Sequence, residues 1–186
     1  ALTGYSYSGE GYFLTQHMVE QMTGKNLDEL LQAALLKPLR MYRSAAIWNP
    51  EMTEFFSYGF GADGNVNKIR NVIDLSGDAP EPNAAWSLYT NAFDMAKFAQ
   101  YIIQKRGGLE KEQFAEMTKP QNWATEEIPW GLGWGLTKKD PSLMWHWGDN
   151  TGFKSLMMID PKWGEALIIF TNSDNGFAFW EAAAKE

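Results

Sequence analysis

The chain has 186 residues, 45% of them hydrophobic and 21% charged, which gives one globular domain or part of one and excludes intrinsic disorder, collagen and coiled coil. Sixteen Lys and Arg against twenty-three Asp and Glu leave a net charge of -7, a field that repels phosphate backbones and anionic lipid, so nucleic acid is not an expected partner. No stretch reaches the roughly 18 apolar residues of a membrane span, and zero cysteines exclude disulfides, thiolate zinc sites and cysteine nucleophiles.

The chain opens Ala1-Leu2-Thr3, with neither an initiator Met nor a secretory leader, and so reads as a processed or trimmed piece of a longer protein. Glu10 to Thr23 is predicted as a helix, with Leu14, Met18 and Met22 at i, i+4, i+8 forming an apolar stripe that ends at Gly24. Asn26, with Glu29 three residues on, opens a second helix through Leu36, ahead of Pro38. Asn49 to Pro82 is rich in Gly, Asn, Asp and Pro and reads as loop, with a short strand possible over Lys68 to Leu75. Asn91 caps a third helix running to Lys105, where Gly107-Gly108 stops it, and a fourth spans Glu110 to Met117.

Beyond Pro120 the period changes. Gly131 to Lys138, Leu143 to Trp147, Lys154 to Ile159 and Ala166 to Thr171 are short aromatic or β-branched runs that read as strands. Asp160 to Gly164 joins the last two as a hairpin, with Pro161 where φ near -65° is wanted and Gly164 where φ must be positive. Phe177 to Glu186 closes the chain as a helix. Helices first and antiparallel strands last give an α+β fold.

A search for chemistry removes most options. His17 and His146 stand in no ligand spacing, so a metal site is not expected, and Glu126-Glu127 reads as a solvated loop. Neither phosphate-loop pattern occurs, and no cofactor is implied. Of the nine serines, Ser6, Ser8, Ser44, Ser57, Ser76, Ser87, Ser142, Ser155 and Ser173, none has Gly on both sides at two residues and none has Lys at +3. Nucleophile elbow and SxxK are therefore both missing.

Two segments remain: Tyr7-Ser8-Gly9-Glu10-Gly11-Tyr12, leading into a helix that ends Met22-Thr23-Gly24, and His146-Trp147-Gly148-Asp149-Asn150-Thr151-Gly152 before the hairpin. With Trp86 to Phe98 and Gly131-Leu132-Gly133-Trp134 between them, they resemble the serine β-lactamase and penicillin-binding-protein-like hydrolases, in the class C-like branch that includes esterases and D-amino-acid peptidases. The resemblance covers nearly the whole chain in the family's order.

That resemblance implies roles. Tyr7 matches the tyrosine that accepts the nucleophile's proton and returns one to the leaving group, which demands a phenol pKa brought below about 10 by nearby cations. Gly9 stands where many members have Asn, so an amide that would touch nucleophile lysine or substrate is lacking. His146-Trp147-Gly148 matches the KTG or HxG strand, whose edge can pair with an extended substrate and whose Gly permits close approach. The first residue of that motif presents a donor, here an imidazole mostly neutral at pH 7, which biases the site toward esters or small peptides. The Asp149 N–H falls where the family completes an oxyanion hole, worth about 3 to 4 kcal/mol. Standing alone, Tyr7 is an ordinary aromatic before a helix, and His146 a cross-strand histidine between Trp145 and Trp147. His17 has no partner motif and belongs to a helix surface.

In complete members the SxxK helix precedes the YSG element, and this sequence does not contain it. The expectation is therefore the C-terminal portion, 1–186, of a single serine hydrolase domain, with three C-terminal strands of a five-stranded sheet. It would meet a small-molecule or peptide substrate and either the missing N-terminal segment or, through an open sheet edge, another copy of itself. The alternative is a non-catalytic module of the same fold that holds peptidoglycan or another glycan in a Trp-lined groove. Export is the address the family suggests; the compartment stays open.

Overall fold

The computed structural model describes residues 4–67 and 81–183, so the strand expected over Lys68 to Leu75 lies outside the described residues. Helix α1 spans Gly9–Thr23. The Ser8 hydroxyl accepts from the Gly11 N–H at 3.3 Å at its start, and Gly24 at φ 67° closes its end. The stripe Leu14, Met18 and Met22 lies on the surface, and the residue that α1 buries is Gln16. Its amide donates to the Pro82 carbonyl at 2.9 Å and to Glu20, and accepts from the Ala84 N–H at 2.8 Å. A buried amide with its partners satisfied thus ties α1 to the 82–87 loop without burial of the apolar stripe.

Asn26 and Glu29 exchange both bonds of a capping box at the head of α2, Leu27–Leu31. The helix expected to reach Leu36 instead widens into a π turn over Gln32–Leu36, where the Lys37 N–H reaches the Gln32 carbonyl at 3.1 Å. Pro38 has no N–H with which to continue the ladder, and it follows directly. Within the loop-rich stretch a 3-10 turn forms at Pro50–Glu54. Helix α3, Ala92–Lys105, starts with Asn91 accepting from the Asp94 N–H; α4 spans Lys111–Met117. Asp94 is buried, where desolvation pushes its pKa up, but Lys97, the Ser44 hydroxyl and the Arg43 N–H outweigh that and hold it below the usual carboxylate range.

The sheet is an antiparallel meander in sequence order: β1 Asn122–Trp123, β2 Pro129–Trp130, β3 Gly135–Leu136, β4 Met144–Asn150, β5 Phe153–Asp160 and β6 Glu165–Thr171. The long strand expected over Gly131 to Lys138 shrinks to β3, because Gly131 to Trp134 makes a turn with Gly133 at φ 81° and the Gly131 N–H on the Trp134 carbonyl. β1 and β2 carry no strand signal in the sequence, because two residues each are too few to show a period. The hairpin between β5 and β6 forms as expected, with Gly164 at φ 74°.

Side chains alternate across β4. Met144 joins Leu136, Ile159 and Trp134 in a core closed by Ala99 and Ile102 of α3. Trp147, on the other face, meets Phe177 of α5, Gly176–Ala183, with ring centroids 5.8 Å apart. Helices therefore cover both faces, an α+β layering. β6 ends the strand order, so its outer edge has no strand beside it among the described residues. No helix of the described residues is long and apolar enough to cross a membrane.

Candidate active site

Tyr7 and His146 come from opposite ends of the chain, and local geometry explains how each is aimed. Tyr7 is the residue before the Ser8 cap, and Tyr12 lies one turn into α1. Their rings pack at 6.2 Å in the manner of a hydrophobic staple, which fixes the direction in which the chain enters the helix. His146 projects from β4 at the point where β3 leaves it, because β3 pairs only with Met144 and Trp145. The His146 ring is 6.3 Å from Tyr7 and 6.2 Å from Tyr12, and its Nε2 lies 3.3 Å from the Tyr12 hydroxyl.

From His146 to Asn150 the edge of β4 on the β3 side has no strand beside it among the described residues, while β5 pairs the other side throughout. Such an edge can take an extended ligand strand. Gly148 is part of it, paired with Ser155, and a Cβ there would lie 2.6 Å from the Ser155 hydroxyl oxygen. Trp147 contributes its carbonyl to the His146 ring at 2.9 Å and half-exposes its indole. The Asp149 side chain points to the face opposite His146, where its carboxylate meets Lys154 at 2.8 Å, leaving backbone as the part of Asp149 that can border the site. At Gly9, the first residue of α1, a Cβ would touch the Ala85 Cβ at 3.4 Å, an ordinary contact.

Burial pushes the His146 pKa down against the opposing pull of the Trp147 carbonyl, which favours the neutral imidazole. Burial also raises Tyr5 and Tyr12, and the nearby Tyr7 adds to both. The surroundings are aromatic: Trp130 sits 6.0 Å from His146, 5.3 Å from Tyr5 and 5.3 Å from Trp145. His17 is exposed on α1. Among the described residues no group of His, Asp and Glu could hold a metal ion.

Sequence reasoning missed Tyr12, Tyr5 and Trp130. A staple signature, Tyr7 and Tyr12 flanking a Ser cap, was available for the first; the other two arrive through tertiary packing. Gly135 sets the far wall, since a Cβ there would fall within 2.7 Å of the Trp145 indole. Gly135→Ala is expected to displace Trp145, loosen the rings behind His146 and cost about 1 to 3 kcal/mol, read from the urea midpoint together with near-ultraviolet dichroism.

The family model described as Beta-lactamase matches residues 2–185. The chain is similar to N-acetylmuramyl-L-alanine amidase of Bacillus subtilis (strain 168), 26% identical over 199 residues, covering 91% of this chain and 44% of that protein. It is also similar to Penicillin-binding protein 4 of Amycolatopsis lactamdurans, 23% identical over 209 residues, covering 99% and 51%. Among solved structures it superposes on a penicillin binding protein from Bacillus halodurans with a TM-score of 0.80 at 18% identity, covering 98% of this chain and 56% of that one. D-amino acid amidase from Ochrobactrum anthropi SV3 gives a TM-score of 0.71 at 26% identity, covering 91% and 52%. The chain spans about half the length of the curated relatives it matches. A family match running over nearly every residue means that the chain belongs to the Beta-lactamase family.

Proposed function

We propose that the chain is part of a serine acyl-enzyme hydrolase acting on an ester, β-lactam or D-amino-acid peptide, with the nucleophilic serine supplied by polypeptide outside this sequence. The observation that carries the proposal is the 6.3 Å approach of Tyr7 to His146 beside an unpaired stretch of β4. Tyr7 serves as the proton carrier between nucleophile and leaving group. The β4 edge at Trp147 and Gly148 aligns the substrate, and the Asp149 N–H stabilises the oxyanion. Gly9, small and without an amide, leaves room beside Tyr7. The names of the relatives, two amidases and two penicillin-binding proteins, agree with acyl transfer.

The test is turnover of a p-nitrophenyl ester or of a penicillin by this chain alone and by a longer polypeptide that adds an in-frame upstream SxxK segment. Only the longer protein is expected to turn over; hydrolysis by residues 1–186 alone would overturn the proposal. The wall of Tyr5, Trp130 and Trp145 favours a second reading, a glycan-holding module. That reading predicts quenching of tryptophan fluorescence by muropeptides with no turnover in either protein.

A further inference from the structure

Tyr12 has no role in the proposal above, yet it makes the side-chain hydrogen bond to His146. The His146 Nδ1 lies 2.9 Å from the Trp147 carbonyl oxygen. A carbonyl can only accept, so Nδ1 carries the proton. In the neutral ring Nε2 is then a bare lone pair, and the Tyr12 hydroxyl 3.3 Å away must donate to it. Free histidine in water prefers the opposite tautomer, with hydrogen on Nε2, so the protein selects the less common form. Tyr12 is held for this purpose by its own position: it stands on the first turn of α1, stapled to Tyr7, and its ring meets the imidazole edge-on.

From this geometry we infer that Tyr12 is a positioning residue that holds His146 as a neutral acceptor, so that the imidazole offers substrate no N–H and no positive charge. The inference rests on the hydrolase reading and narrows its substrate class to acyl groups without a carboxylate next to the scissile bond, neutral esters and amides, because an anionic end would find neither cation nor donor at His146. At 3.3 Å the bond is long for an O–H donor, so its contribution is orientation more than energy.

Nitrogen-15 NMR of labelled histidine reads the tautomer directly, and the sequence has only two histidines, so the exposed His17 is an internal reference. At pH 7.5 the wild-type spectrum is expected to show His146 protonated at Nδ1 with a hydrogen-bonded lone pair on Nε2. In Tyr12→Phe the Nε2 signal is expected to move to the position of an unbonded lone pair or to split between tautomers, with His17 unchanged. A wild-type His146 protonated on Nε2 or on both nitrogens overturns the inference without recourse to the variant, and so does an Nε2 signal that Tyr12→Phe leaves in place. In the longer enzyme Tyr12→Phe is expected to narrow the preference for a neutral ester over its carboxylate-bearing counterpart, mainly through KM. An unchanged preference counts against the substrate class. These readouts are separate from the hydrolase reading, which fails if the unsubstituted longer enzyme turns over neither ester or if residues 1–186 alone turn one over.

Discussion

Lys154→Ala is expected to destabilise the fold by about 3 kcal/mol, measured from the urea midpoint at pH 7. The ammonium is buried, lies 2.8 Å from both Asp149 and Asp174, donates to the Asn150 carbonyl at 3.1 Å and faces the Phe177 ring. Removing one member of a buried ion pair costs about 3 to 5 kcal/mol, and the low end applies because both carboxylates keep contact with water. The same substitution alters the acid limb. Lys154 above all, then the Gly152 N–H and the Asn67 amide, hold the Asp174 carboxyl down to about 2. A depressed carboxylate stabilises the fold fully above its unfolded pKa near 4 and loses that contribution as pH falls through about 2. The wild-type midpoint should therefore drop across that window, and Lys154→Ala should flatten the drop. A variant with wild-type stability and a wild-type acid profile would mean that the triad does not anchor β4 to the segment after β6.

In the longer enzyme, Tyr7→Phe is expected to lower kcat on a p-nitrophenyl ester by about 100- to 10,000-fold, the range for loss of a positioned proton carrier. The fold should be unaffected, because the ring that packs on Tyr12 is retained and half of the residue already faces water. A fall in kcat and in kcat/KM of equal size would mark an interaction made in the transition state; a change in KM alone would mark a binding role.

The parts of this fold that were legible are those decided within a few residues. The Asn26 and Glu29 capping box, the Asn91 cap, the αL glycine at Gly24 and the Asp160 to Gly164 hairpin each carry their geometry in local chemistry, and each forms. The reading failed where the competing signal was equally local but of another kind. Gly133 turns the chain inside an apparent strand, and the second helix ends in a π turn ahead of Pro38. The apolar stripe of α1 has the right period for burial, but the helix is tied down by Gln16, a contact sixty-odd residues away that no periodicity encodes. The site shows the same division. The proposed site residues Tyr7, Gly9, His146, Trp147, Gly148 and Asp149 lie in two short motifs and could be named from them, whereas Trp130 reaches His146, and Tyr5 reaches Trp130, only through the packing of β2 on β4's neighbour and of the segment before α1.

All of the functional reading depends on an attacking hydroxyl that reaches Tyr7 and His146 from outside residues 1–186. Labelling the longer polypeptide with a fluorophosphonate and mapping the adduct by tandem mass spectrometry tests this directly. The account predicts a single modified serine, upstream of Ala1 and within an SxxK segment; an adduct on any of the nine serines of this chain would contradict it.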